Sequence, residues 1–435
     1  MAESHTSSST WTGPIRPPAA PPFRVAVRTL GCKVNRVESE RIAADLLGRG
    51  CDITAEEDAA IIVINTCAVT TEAEAKARKA ARHAAELPNR PVVVVTGCAS
   101  TVAAEQMAAV HERVVVESDK EAVAGRVAAL LGAPATPEGP PLAAEDTFRT
   151  RHMLKVEDGC DSFCAYCIVP YARGLPRSVP LAQVRREAAE CAAAGVREIV
   201  VTGINVGRYA DDGATLPDLM AAVFESGVER VRLSSVEPLD VGERLLAVYR
   251  EHSATAAPHL HVPLQSGSDR VLQAMGRGYT VSEYERRIEA AREAVPGLAV
   301  TTDVMVGFPG ETDEDARLTR EACDRIGFSK LHVFRYSPRP GTRAVDLPSH
   351  VPAAVAGERA AELRALGERL AARYAGSRAG GTAHVLVERV RGDEAEGTSE
   401  DYLKVTMHAR GVDIGEIVAV RLLGRSRERV LAEVL

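Results

Sequence analysis

Six strand-like runs, each followed by a polar loop bearing Gly or Pro and then an amphipathic stretch, occupy the middle of this chain at 152–156, 198–202, 230–234, 259–263, 299–306 and 330–336. Parallel strands need a crossover element between them, so repeated βα units dictate a parallel sheet. Such repeats curve towards a barrel, but six units fall short of the eight that close one. The expected architecture is an open (β/α)6 partial barrel, with chemistry at the carboxyl ends of its strands.

The amino-terminal part follows the same grammar. Residues 24–29, 60–65 and 92–96 are near-continuous apolar, β-branched runs, the pattern of strands buried on both faces. Helical stretches at 37–47 and 72–87 separate them, and a further strand at 113–117 precedes a helix ending near 131. This βαβαβ pattern makes a second parallel sheet, whose ligands belong outside the carboxyl ends of the strands. Cys32, Cys67 and Cys98 each follow one of the three runs. They should meet at one edge, either around a metal cluster or as buried core cysteines.

The first strand of the partial barrel leads into Gly159-Cys160-Asp161-Ser162-Phe163-Cys164-Ala165-Tyr166-Cys167, a Cys-x3-Cys-x2-Cys run. A four-iron cluster normally takes four Cys ligands. Three thiolates without a nearby fourth leave one position open, the logic that separates catalytic from closed metal sites. A structural zinc site would want a fourth Cys or His close by, and a disulfide framework an even count.

The other strand ends of the partial barrel are rich in groups suited to a cofactor. Gly203 and Asn205 follow the second, Ser235 and Glu237 the third, Gln265 the fourth, and Gly307, Gly310 and Glu311 the fifth. Glycine lets backbone approach a ligand closely, and these polar side chains can bond a ribose or an amino-acid moiety. Taken singly, each is ordinary turn chemistry. Recurrence on one face of one barrel gives them weight.

Composition bounds the setting. The chain has 435 residues, nine cysteines and a net charge of -7, so RNA binding has no global electrostatic argument. No stretch of about twenty apolar residues suggests a membrane span. Residues 1–22 are Ser/Thr- and then Pro-rich without an apolar core, and read as a disordered tail rather than an export signal. Nine cysteines without export point to a reducing, cytoplasmic setting. The expected domains are 23–131, a linker at 132–147, 148–378 and 379–435. Pro352 precedes a helix whose Leu363, Leu366, Leu370 and Tyr374 make an apolar stripe, with Arg359, Arg364, Arg369 and Arg373 on other faces. Strand-like runs at 383–388, 402–407, 417–423 and 430–434 suggest a small β-barrel.

The cysteine run at the first βα loop of a partial barrel resembles the radical S-adenosylmethionine (SAM) enzymes, and the match reaches the methylthiotransferases among them. It is carried by 158–174, by Leu264-Gln265-Ser266-Gly267-Ser268, by Gly307-Phe308-Pro309-Gly310-Glu311-Thr312, and by Asn65-Thr66-Cys67 and Thr96-Gly97-Cys98. Thr29-Leu30-Gly31-Cys32-Lys33-Val34-Asn35 and Pro170-Tyr171-Ala172-Arg173-Gly174 resemble the branch acting on threonylcarbamoyladenosine at position 37 of tRNA. The isopentenyladenosine and ribosomal-protein aspartate branches carry other residues after the first cysteine. Asp161 and Arg36 depart from the common pattern without removing a cysteine.

The resemblance implies two 4Fe-4S clusters, one on Cys160, Cys164 and Cys167 that binds and cleaves SAM, the other on Cys32, Cys67 and Cys98 that carries the transferred sulfur. Phe163 and Tyr166 are expected to shield the first. The resemblance also implies tRNA as substrate, a flavodoxin- or ferredoxin-type reductant and a TRAM-like RNA-binding barrel at the carboxyl terminus; a monomer without membrane attachment is expected. Two readings of other classes, an iron-sulfur electron carrier and an RNA-binding protein, leave the open cysteine run or the six placed cysteines without a use.

Overall fold

The computed structural model describes residues 23–134, 150–426 and 429–435. The expected tail and most of the expected linker therefore lie outside the described residues. The described chain divides into two compact units, one comprising 23–134 with Cys167–Gly174, the other 150–166 with Leu175–Leu435.

In the first unit, strands β1 (Phe23–Thr29), β2 (Cys51–Ile53), β3 (Ile61–Thr66), β4 (Val92–Gly97) and β5 (Val114–Val116) form one parallel sheet in the order β2-β1-β3-β4-β5. Every residue of β3 and β4 is buried, as their unbroken apolar runs require. Ile42 and Leu46 of the helix Lys33–Gly48 pack on one face with Val123 and Val127. Ala77, Ala81 and Ala84 of the helix Thr71–Ala85 pack on the other. The strand order reverses between β1 and β3, the switch point at which doubly wound sheets bind ligands.

The second unit contains the six expected strands, β6 (Arg151–Lys155), β7 (Glu198–Thr202), β8 (Arg230–Leu233), β9 (His259–His261), β10 (Ala299–Val306) and β11 (Lys330–Arg335). They pair in parallel as β8-β7-β6 and β9-β10-β11, and bridges Val231↔Ala256 and Ser235↔His261 join the two groups. Spatial order thus follows chain order, giving an open (β/α)6 sheet. Alternate residues such as Leu154, Ile199, Val201, Val231, Leu233 and Val304 enter the apolar core shared with the helices. The intervening residues include the buried Glu198, Arg230, Arg232, His259 and Thr301.

A closed barrel of β12 (Thr382–Arg391), β13 (Glu394–Ser399), β14 (Lys404–His408), β15 (Ile417–Ser426) and β16 (Arg429–Val434) completes this unit, around Val385, Val405, Met407, Val420 and Leu422. It is fastened to the starts of the parallel strands. Arg230 donates to the carbonyls of His384 (2.7 Å) and Thr398 (3.3 Å), and Arg232 to those of Glu400 (2.9 Å) and Ser399 (3.1 Å). Glu198, fully buried, accepts from both arginines. Tyr402 stacks on His259, ring centroids 4.6 Å apart, with the Arg232 guanidinium 4.9 Å above its ring.

The helix Ala353–Arg378 starts after Pro352 and buries Leu363, Leu366 and Leu370 as expected. Arg359 departs from the expected outward placement. It is buried against Glu311 and Asp313, because its position on the helix lies over the loop after β10. Among the described residues, no helix is long and apolar enough to cross a membrane.

Candidate active site

Cys32, Cys67 and Cys98 stand directly beyond three adjacent parallel strands, at the switch point of the first unit. Cys32 caps the helix Lys33–Gly48, Cys67 follows β3, and Cys98 opens the helix Cys98–Val102. Two glycines allow the close approach. Gly31 has φ +123°, and a Cβ there would stand 2.8 Å from the Cys67 Cβ. Gly97 has φ +88°, and its Cβ would stand 2.3 Å from Asn65 Oδ1 and 2.4 Å from the Thr66 carbonyl. Burial pushes the Cys67 thiol up, and the neighbouring Cys98 and Cys32 add to it.

Asn35 braces this edge from beneath. Its Nδ2 donates to the Thr66 carbonyl (2.8 Å) and to Asn65 Oδ1 (3.1 Å), which fixes where its oxygen points. That oxygen accepts from the Cys32 thiol (3.3 Å) and from Arg173 Nη2 (2.8 Å). Arg173, carried by the segment Cys167–Gly174, also donates to Glu38, which Lys120 joins at 3.0 Å.

In the second unit the chain leaves β6 through Glu157 to Cys160. Glu157 Oε2 accepts from the backbone N–H groups of Ile204 (2.9 Å) and Asn205 (2.8 Å), clasping the loop after β7. Gly203 is required beside it, since a Cβ would lie 2.9 Å from that oxygen. Burial raises the Glu157 carboxyl to about 7 although both N–H groups oppose the shift. N–H donors surround the sulfurs. Ser162 N lies 3.5 Å and Asn205 Nδ2 3.7 Å from Cys160 Sγ, and Arg277 Nη1 lies 3.4 Å from Cys164 Sγ. Beside them opens a cavity of about 330 Å³, lined by Cys164, Asn205, Arg208, Glu237, Arg277 and Tyr279 among others. Asn205 Oδ1 is buried there without a protein partner. Burial, followed by the charge of Glu237, raises the Asp240 carboxyl on the same wall.

Of the strand-end residues singled out in the sequence, Asn205 and Glu237 line this cavity with Cys164, and the rest do not. Ser235 bridges to His261, and Gln265, at φ +65°, bridges to Val304. Gly307 makes room for the helix Ala353–Arg378, where a Cβ would meet that of Ala356 at 2.7 Å. The Gly310 carbonyl accepts from Arg270 (2.7 Å). Glu311, expected as a cofactor contact, uses Oε2 to accept from Gly307 N (2.6 Å) and Arg359 (2.8 Å), while its Oε1 is buried without a protein partner. Strand-end reasoning missed Arg277 and Tyr279, which lie in a turn after the short helix Asp269–Met275. Their signal was a cation and an aromatic flanking Gly278. Asp161, one of the two departures from the common pattern, pairs with Arg208 at 2.9 Å.

Among the described residues, no three Cys, His, Asp or Glu side chains crowd the space of a single metal ion, as zinc at about 2.3 Å from each sulfur would require.

Residues 154–323 match the radical SAM superfamily, and residues 24–117 match a family described as uncharacterized protein family UPF0004. The threonylcarbamoyladenosine tRNA methylthiotransferase MtaB of Thermotoga maritima is 34% identical over 420 residues, covering 94% of this chain and 96% of its own. The protein of the same name from Bacillus subtilis is 37% identical over 426 residues, covering 92% and 93%. The chain belongs to the radical SAM methylthiotransferase family. Within that family, identity alone does not separate the branches. A tRNA-2-methylthio-N(6)-dimethylallyladenosine synthase from Novosphingobium aromaticivorans is 33% identical over 427 residues, covering 94% and 96%. Beyond the methylthiotransferases the fold is similar to that of the radical SAM methyltransferase TsrM from Kitasatospora setae, with TM-score 0.54 at 15% identity over 74% of this chain and 77% of that one.

Proposed function

We propose that this methylthiotransferase places a methylthio group on carbon 2 of N6-threonylcarbamoyladenosine at position 37 of tRNA, with Cys160, Cys164 and Cys167 holding one 4Fe-4S cluster and Cys32, Cys67 and Cys98 a second. The observation that carries the reading is the cysteine edge of the first unit. Core cysteines would not need two left-handed glycines that admit no Cβ, placed directly before Cys32 and Cys98. In the second unit, N–H groups aimed at Cys160 and Cys164 suit thiolate sulfurs that remain charged in a cluster. The adjoining cavity offers Asn205, Glu237 and Arg208 to a ligand with amino, carboxylate and ribose groups, which fits SAM.

When bound, these cofactors supply reductive cleavage of SAM, hydrogen abstraction and a sulfur source, with electrons from a flavodoxin- or ferredoxin-type donor. The chain's own residues hold and orient. Glu157 ties the loop bearing Asn205 to the loop bearing Cys160, and Asn35 fixes the loops of Cys32 and Cys67 against each other. Lys33, exposed beside Cys32, offers a cation to the carboxylate of a threonylcarbamoyl group, which an isopentenyl group lacks. The motif around Cys32, rather than overall identity, supports this branch.

The test is anaerobic reconstitution of the purified chain, followed by incubation with SAM, dithionite as reductant and tRNA bearing either modified adenosine, and mass spectrometry of the nucleosides. Methylthiolation of the threonylcarbamoyl substrate with none of the isopentenyl one is expected. The opposite preference overturns the branch.

A further inference from the structure

The guanidinium of Arg277 reaches a sulfur of the cysteine run. Nη1 lies 3.4 Å from Cys164 Sγ, Nε donates to Tyr279 Oη at 3.2 Å, and Nη2 pairs with Glu237. Its side chain is only 6% exposed. A cation withdrawn this far from water is held by what surrounds it, and each contact here is anchored. Tyr279 Oη lies 3.0 Å from the carbonyls of Pro263 and Leu264, and its ring sits 5.1 Å from the guanidinium carbon. The turn carrying Arg277 is clasped to the cysteine loop through the backbone, since Ala165 N donates to the Met275 carbonyl at 2.8 Å. Ala165 directly follows Cys164, so the reach from Arg277 to that sulfur is set by main-chain pairing.

A neutral thiol gains little from such a neighbour. A thiolate accepts a charge-assisted hydrogen bond from it, which is roughly twice as strong as a neutral one. Cluster potentials respond to hydrogen bonds at their sulfurs and to nearby charge. Reduction adds negative charge to the cluster, so a cationic donor stabilises the reduced form more than the oxidised form.

We propose that Arg277 is a positioning residue of the radical SAM centre, which holds the Cys164 sulfur and raises the reduction potential of the cluster carried there by an N–H···S bond. This rests on the assignment of Cys164 as a cluster ligand made above. Glu237 is then the counter-ion that orients the guanidinium, rather than a direct contact of the ligand alone.

The experiment is an EPR-monitored redox titration of the full-length reconstituted chain in a Cys32→Ala, Cys67→Ala, Cys98→Ala background, so that a single cluster gives the signal. Relative to that parent, Arg277→Gln should lower the midpoint by on the order of tenfold in the reduction equilibrium, ~59 mV for one electron. Arg277→Lys, which keeps the charge but not the fork, should fall between the two. The double variant Arg277→Gln, Glu237→Gln removes the carboxylate's charge along with the guanidinium's and should still lie below the parent, by less than the single variant. Should Arg277→Gln fail to hold a cluster, the comparison of Arg277→Lys with the parent decides. A midpoint equal to that of the parent in cluster-loaded variants overturns the inference, as does a change confined to SAM affinity. A parent that holds no cluster, or one that survives Cys164→Ala unaltered, refutes the ligand assignment instead.

Discussion

Replacing Gly97 by Ala asks whether the cysteine edge of the first unit is a built site. Gly97 closes β4 at φ +88°, and an added Cβ would meet Asn65 Oδ1 at 2.3 Å and Thr66 O at 2.4 Å. With ψ at -163° the backbone lies in a region that essentially only glycine visits, which costs another residue about 1–3 kcal/mol, and overpacking adds about 1–3 kcal/mol. The backbone must therefore move, and because Thr66 and Asn65 precede Cys67 while Gly97 precedes Cys98, two of the three thiols move with it. Reconstituted wild-type chain should hold about eight irons, as two four-iron clusters. The Gly97→Ala chain should hold about half, keep 5′-deoxyadenosine formation and lose methylthio product, the same pattern as the Cys32, Cys67, Cys98 triple alanine variant. Iron analysis and nucleoside mass spectrometry read both outcomes. Wild-type iron and full product in Gly97→Ala would refute the reasoning, because an ordinary core glycine could then account for the site.

Replacing Cys160, Cys164 and Cys167 together by Ala should abolish SAM cleavage and halve the iron, and an unchanged cleavage rate in that variant would end the cluster assignment. Burial alone would raise the Glu198 carboxyl, but Arg232, Arg230 and Arg151 outweigh it and hold it at about 2 against an ordinary 4.5, a difference of roughly 3 kcal/mol at about 1.36 kcal/mol per unit. Its folded value lies below the unfolded one, so that stabilisation is present above about 4.5 and lost as pH falls towards about 2. Glu198→Gln should therefore lower the thermal midpoint at neutral pH and approach wild type on acidification, and a gap independent of pH would contradict this.

The legible parts of the sequence were those written locally. Near-continuous apolar runs marked β3 and β4, and cysteines at successive strand ends marked one sheet edge, because parallel strands must end on the same side. The strand β13, Glu-Ala-Glu-Gly-Thr-Ser, was invisible because it has few apolar residues. Gly397 within it is demanded by the Leu386 carbonyl, which a Cβ would meet at 2.3 Å. The short edge strand β2 was missed for lack of length. The pairing of Glu311 with Arg359 was not legible because the two lie 48 residues apart in the chain. Arg277 escaped because it reaches the cysteine loop from a turn rather than from a strand end.

The closed barrel at the carboxyl terminus is not a detachable cassette. Truncating the chain after the helix Ala353–Arg378 would strip four carbonyl acceptors from Arg230 and Arg232 and take Tyr402 off His259. Three guanidiniums, those of Arg151, Arg230 and Arg232, would then be left sharing Glu198 at the floor of the parallel sheet. Loss of tRNA modification after such a deletion would report a damaged catalytic scaffold as readily as lost RNA contact. Substitutions at exposed barrel side chains that donate none of these hydrogen bonds, such as Arg391 or Arg421, separate the two.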